Sequence, residues 1–202
     1  MSNRRVVLAI NPSRDEAVSA ARELASILKA KEFDLYTASD VSIDGVAKLP
    51  LESLADVEVV LVLGGDGTIL KAAEIVREPS IPLMGINLGH VGFLAEGERH
   101  ELSTLISRVA AKDYQVTERL ALDVSVLVGG EEVYSTWALN EATVEKSSRE
   151  RMLEVVIEVE GHPLSSFGCD GVVMSTPTGS TAYAFSAGGP VVWPSVEALL
   201  MV

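Results

Sequence analysis

Residues 6–10, Val-Val-Leu-Ala-Ile, are an unbroken apolar run closed by Asn11-Pro12. The next stretch, 15–31, changes to a helical period, with Val18, Ala21, Leu24, Ala25 and Leu28 on one face. A second strand is expected over 33–37. A third, the most apolar, covers 57–63 and breaks at Gly64-Gly65-Asp66-Gly67, after which 68–77 again reads as helix. Residues 81–86 read as a fourth strand, with Pro79 and Pro82 fixing its entry, and 99–112 as one more helix. Strands that are apolar on both faces and joined by helices predict a parallel sheet covered on both sides.

The period changes after about residue 115. Residues 120–128 alternate, Gly129-Gly130 makes a hairpin turn, and 133–144 and 153–160 are further strands. The expected organisation is an α/β domain over 1–115 and a β-rich domain over 116–202, with no repeat, low-complexity stretch or linker.

Charge narrows the function classes. The chain of 202 residues has 29 Asp and Glu against 16 Lys and Arg, a net charge of −13. That excess argues against nucleic acid, which selects a basic face, and against anionic membrane surfaces. Small anionic ligands stay open, because backbone N–H groups bind phosphate whatever the net charge. The one cysteine, Cys169, leaves no disulfide framework and no cysteine-based zinc site. His90, His100 and His162 have no metal-ligand spacing, and Arg149 and Arg151 flank Glu150 in a turn that reads as a solvated face. No apolar run approaches the roughly 18 residues of a membrane span, and the start does not resemble a signal peptide. A cytoplasmic protein is expected.

Three segments carry candidate chemistry. Gly64-Gly65-Asp66-Gly67-Thr68 sits at the mouth of the parallel sheet, where helix N–H groups favour phosphate. It lacks the Gly-Lys-Ser/Thr of a P-loop, and Leu70 stands where the dinucleotide fingerprint has its third glycine. Asp66 is unusual there, because a carboxylate beside phosphate repels it unless it holds a metal or takes a proton. The plain alternative is a strand-to-helix turn with Asp66 as N-cap. Asn140-Glu141 places two polar residues inside a strand-like stretch, 136–144, either against a ligand or on a solvent face. The third segment follows the apolar strand that starts at Asp170-Gly171. It runs Ser175-Thr176-Pro177-Thr178-Gly179-Ser180-Thr181-Ala182-Tyr183 and continues through Ser186-Ala187-Gly188-Gly189-Pro190. Five hydroxyl residues in seven positions read as a loop that hydrogen-bonds a polyhydroxylated ligand, with the Tyr183 ring to stack on it. The alternative is a surface turn.

In order and spacing these motifs, with Gly89-His90-Val91-Gly92-Phe93-Leu94 between the first two, resemble the NAD kinase family. The resemblance covers the chain from Val6 onward. It implies a Rossmann-like parallel sheet domain followed by an all-β, sandwich-like domain that is incomplete here, the chain being truncated at its C-terminal side. It implies phosphoryl transfer from ATP to the 2′-hydroxyl of the adenosine ribose of NAD. Mg²⁺ or another divalent cation is the implied cofactor, and inorganic polyphosphate an alternative donor in some bacterial members. Asp66 matches the family's proton acceptor. NAD contacts are implied for Asp66, Gly67, Lys71, Phe93, Asn140, Glu141, Arg151, Asp170, Thr181, Ala182, Tyr183 and Ser186. The glycine turn, Gly64, Gly65, Gly67 and Thr68, would hold the donor phosphates, and the metal ligands stay unassigned. A homodimer or homotetramer is implied through the β-rich domain.

Phosphoryl transfer needs mainly positioning and charge neutralisation. A carboxylate is too weak a base to ionise a ribose hydroxyl beforehand, so Asp66 would orient the hydroxyl and accept its proton late. Two rivals remain. A diacylglycerol-type lipid kinase shares Gly-Gly-Asp-Gly but leaves the hydroxyl-rich loop unexplained. An NAD-binding module without turnover gives Asp66 no reason to be an acid.

Overall fold

A computed structural model describes residues 4–50, 54–77, 80–88, 94, 97–98, 102–147 and 151–202. The chain divides into two compact units, one running to Thr117 and one starting at Glu118.

The first unit alternates strand and helix. Its elements are β1 (Arg5–Ile10), α1 (Asp15–Lys29), β2 (Asp34–Thr37), β3 (Ala47–Lys48), β4 (Val57–Leu63), α2 (Asp66–Val76), β5 (Leu83–Asn87), β6 (Gly97–Glu98) and α3 (Leu102–Ala111). The six strands form one parallel sheet in the order β3-β2-β1-β4-β5-β6. The period of two sorts its side chains cleanly. Val6, Leu8, Ile10, Val59, Leu61 and Leu63 point to one face, where Ala17, Ala20, Ala21, Leu24 and Leu28 of α1 and Ile106 and Val109 of α3 cover them. Val7, Ala9, Val60 and Val62 point to the other, against Ile69, Ala72 and Val76 of α2. The buried stripe of α1 is centred on Ala17, Ala20, Ala21 and Leu24, which puts Val18 on its flank.

A polar knot closes the end of this sheet where β1 and β4 begin. Arg4 makes a two-pronged ion pair with Glu58 and donates to the carbonyls of Ala110 (2.6 Å) and Val109 (2.8 Å) at the end of α3. Its guanidinium lies 4.7 Å from the centre of the Phe33 ring, and the Tyr114 hydroxyl donates to Glu58 at 3.3 Å. The paired guanidinium holds the Glu58 carboxyl below the usual carboxylate range.

The second unit is antiparallel. Its elements are β7 (Leu122–Val128), β8 (Glu131–Ala138), β9 (Glu141–Glu145), β10 (Leu153–Val159), β11 (His162–Cys169), β12 (Gly171–Ser175), the single turn α4 (Tyr183–Ser186) and β13 (Leu200–Met201). The pairs β7-β8 and β10-β11 are two-residue hairpins, and β9 and β13 flank β12 in a three-stranded sheet. The expected hairpin at Gly129-Gly130 is present, both glycines having positive φ (62° and 89°), as the twist-matched tight turn requires. The strand expected over 133–144 is in fact two, broken at Leu139-Asn140, and its halves β8 and β9 join different sheets. Asn140 therefore lies in the break, and Glu141 is the first residue of β9. Among the described residues no helix is long and apolar enough to cross a membrane.

Candidate active site

In the first unit the strand order reverses direction between β1 and β4, which opens a crevice at their C-terminal ends, the usual ligand position in such sheets. The Asn11 N–H donates to the Leu63 carbonyl at 3.0 Å and ties the two strand ends together. The glycine turn leaves β4 at that point. Gly64 is buried, and a Cβ on it would lie 2.8 Å from Cβ of Thr68, so no larger residue fits. Gly65 is the N-cap of α2 in extended conformation, and no side chain caps that helix. Asp66 is thus the first residue of the helix rather than its N-cap. Its half-buried carboxylate accepts the Leu94 N–H at 3.2 Å. Gly67 is exposed with open space around its α-carbon, and Lys71 is exposed further along α2.

In the second unit a paired ladder sets the geometry. Strands β9 and β12 run antiparallel from Glu141↔Ser175 to Gly171↔Glu145. At the first end Asn140 and Glu141 meet the hydroxyl-rich loop. Asn140 Oδ1 and Glu141 Oε2 are buried and have no hydrogen-bond partner among the described residues. Glu141 also accepts the backbone N–H of Tyr183, yet burial dominates and pushes its carboxyl above the usual range. Thr181, half-buried, ends a short 3₁₀ turn, Thr178–Thr181. Half-buried Ala182 follows, and Tyr183 and Ser186 are exposed on α4. Glu145, on the same face of β9 as Glu141, hydrogen-bonds the Tyr183 phenol, and its charge raises the phenol's pKa. At the second end Asp170 pairs with Lys146 at 2.8 Å, and the same ammonium donates to the Arg151 carbonyl at 3.4 Å.

The expected residues of the second unit therefore gather at the two ends of a five-residue ladder, with Tyr183 spanning it from its N–H on Glu141 to its phenol on Glu145. Phe93 and its neighbours Gly89, His90, Val91 and Gly92 lie outside the described residues. The loop itself departs from expectation. Ser175, Thr176, Thr178 and Ser180 are buried, and the hydroxyls of Ser175, Thr176 and Ser180 bond backbone carbonyls of this chain. These hydroxyls build the loop instead of reaching for a ligand. Glu145 and Lys146 were missed. The alternation of β9 would have revealed Glu145 had the break at 139–140 been legible.

Two family models cover most of the chain. Residues 6–114 match the ATP-NAD kinase N-terminal domain and residues 139–202 the ATP-NAD kinase C-terminal domain. The chain belongs to the NAD kinase family. An NAD kinase of Leifsonia xyli subsp. xyli is 70% identical over 148 residues, which are 73% of this chain and 49% of the relative. An NAD kinase of Mycobacterium leprae is 47% identical over the whole chain and 70% of its own length. The chain spans about half the length of the Leifsonia relative. Among solved structures, an NAD kinase from Archaeoglobus fulgidus in complex with ATP matches with a TM-score of 0.71 at 27% identity, over 100% of this chain and 71% of that one. Yeast NADH kinase complexed with NADH shares the fold, with a TM-score of 0.86 at 24% identity over 100% of this chain and 66% of that one. The lipid-kinase alternative rested on Gly64 to Thr68 alone, whereas the NAD kinase matches reach both units.

Proposed function

We propose that the protein is an NAD kinase: ATP phosphorylates the 2′-hydroxyl of the adenosine ribose of NAD, giving NADP and ADP. The observation that carries the reading is the pair of buried acceptors, Asn140 Oδ1 and Glu141 Oε2, which have no hydrogen-bond partner among the described residues. Each such group costs about 1–3 kcal/mol until a donor reaches it, and the hydroxyl and amino groups of a nucleoside are donors of the right kind. Residues 1–115 would serve as the nucleotide-binding domain with the glycine turn, and 116–202 as part of the NAD-binding domain.

In this reading Thr181, Ala182, Tyr183 and Ser186 hold NAD beside Asn140 and Glu141. Asp170 and Arg151 touch it from the far end of the ladder, with Phe93, Gly67 and Lys71 completing the contacts. Gly64, Gly65, Gly67 and Thr68 receive the donor phosphates, for which the uncapped start of the 11-residue α2 offers N–H groups. The ribose oxygen forms a bond to the γ-phosphorus, the bond from that phosphorus to the bridging oxygen breaks, and its electrons stay on ADP. The proton goes to Asp66, whose carboxylate is anchored by the Leu94 N–H and so stays aimed. Among the described residues no group of three or more His, Cys, Asp or Glu could cage a metal. Mg²⁺ fits nonetheless, since it is typically held largely by waters and the substrate phosphates, and the glycine turn would present those phosphates while Asp66 is left to take the proton. Bound there, it would offset the phosphate charge. Polyphosphate as an alternative donor, a homodimer or homotetramer, and a cytoplasmic location without nucleic-acid or membrane partners complete the proposal.

The test is NADP formation from NAD, ATP and Mg²⁺, read through an NADP-specific dehydrogenase. Asp66→Asn is expected to lower kcat at least about a hundredfold with a smaller change in NAD affinity. An unchanged kcat would remove Asp66 from the mechanism. NAD binding without any NADP would favour the binding module.

A further inference from the structure

Thr176 is fully buried just after β12, and its side chain does two things at once. Its hydroxyl donates to the Leu139 carbonyl at 2.6 Å and accepts the Gly179 N–H at 3.1 Å. Its own N–H donates to the Asn140 carbonyl at 2.9 Å. The Leu139-Asn140 carbonyls belong to the break between β8 and β9, while Gly179 belongs to the 3₁₀ turn that leads into residues 181–183. One hydroxyl thus ties the 3₁₀ turn to a carbonyl that lies 37 residues before Thr176 in sequence. The fit around it is tight. A Cβ on Gly179 would collide with the Asn140 carbonyl and would lie 2.6 Å from Ser175 Oγ, so the loop backbone rests directly on the segment that bears the two unsatisfied acceptors.

We propose that Thr176 is a positioning residue for the dinucleotide, its hydroxyl fixing the distance between the Asn140-Glu141 pair and the loop that carries Thr181, Ala182 and Tyr183. The inference rests on the reading that those residues hold NAD. A threonine hydroxyl has one proton to give and lone pairs to receive, so it suits a site with a carbonyl on one side and an N–H on the other. Valine has the same shape and neither capacity. It would leave a buried N–H and a buried carbonyl unpaired, and both segments would shift to find partners. Serine keeps the hydroxyl.

The experiment titrates NAD into the wild-type chain and into Thr176→Val, Thr176→Ser and Thr176→Cys by calorimetry. Thermal unfolding and amide hydrogen exchange are followed on the same samples. Thr176→Val is expected to bind NAD about tenfold more weakly, with Thr176→Cys between it and the wild type and Thr176→Ser within about twofold of the wild type. Exchange of the Gly179 amide should speed up while that of Val62, in the first unit, stays unchanged. A folded Thr176→Val with wild-type affinity would overturn the proposal. So would a fall in thermal stability with NAD affinity intact, which would leave Thr176 as part of the scaffold only. If Thr176→Val does not fold, an unaltered affinity in Thr176→Cys overturns it in the same way. A wild-type chain that fails to bind NAD would refute the assignment of Asn140 and Glu141 and this inference with it.

Discussion

Strand β4 buries six of its seven residues, whereas β8 exposes six of its eight. The contrast runs through both units. Large apolar side chains of the first are sealed on both faces of its sheet, and Leu8, Leu24, Leu28, Leu61, Leu63 and Ile106 have no exposed surface. In the second, Leu164 is 70% exposed, Val128 65% and Trp193 80%. The two candidate sites are accordingly held by different forces. The glycine turn and Asp66 stand on a packed strand and a helix buried along one side, so hydrophobic burial fixes them. The loop at 175–183 is held by hydroxyls bonded to backbone carbonyls, so its shape depends on directional bonds that each contribute about 1 kcal/mol.

That difference can be tested by perturbing each unit in its own terms. The largest effect is expected from Leu61→Ala, which opens a cavity in the fully buried sheet and should lower unfolding free energy by about 2–5 kcal/mol in denaturant titration. Next is Ser180→Ala. The Ser180 hydroxyl donates to the Pro177 carbonyl at 2.7 Å and accepts the Val192 N–H at 3.0 Å. Its loss should cost about 1–3 kcal/mol, seen as faster exchange of the Val192 amide. A burial-dominated loop would barely respond.

The Glu58 knot gives a pH effect. Its pKa is lowered in the fold, chiefly by the Arg4 hydrogen bond, so its contribution is fully present above the unfolded-state carboxylate range. It disappears as pH falls through the lower, folded value. The stability advantage of wild type over Glu58→Gln should therefore be constant near neutrality and shrink in acid. A gap that widens in acid would contradict the assignment. The smallest effect belongs to Val156→Ala. That side chain is 57% exposed, and the change should stay within about 0.5 kcal/mol.

The same contrast explains what could be read from sequence. Strands buried on both faces announce themselves as apolar runs, which is why β1 and β4 were legible. Strands of two residues, β3 and β6, cannot show an alternation at all. In the second unit Trp137, Ala138 and Leu139 carry the apolar pattern straight through the break before Asn140, and the break is fixed by bonds from Thr176 and Ser175 in a distant segment. Hydroxyl residues were ambiguous for a related reason. Serine and threonine in a buried turn bond the nearby backbone as readily as they bond a ligand, and only the fold tells which. Two polar residues inside a strand-like stretch singled out Asn140 and Glu141, but nothing in that pattern singled out Glu145 at the end of β9 or Lys146 just after it.

The Arg4 knot also has a bearing on synthesis. Arg4 is made before its partners Val109 and Ala110, which lie 105 and 106 positions later. At about 5–20 residues per second, many seconds separate the two ends of the contact on the ribosome. During that interval the nascent chain can pair β1 with β4 and hold Arg4 on Glu58, but the end of α3 has yet to emerge. The clasp can close only once the end of α3 has been extruded, so it is among the last contacts of the first unit to become available during synthesis.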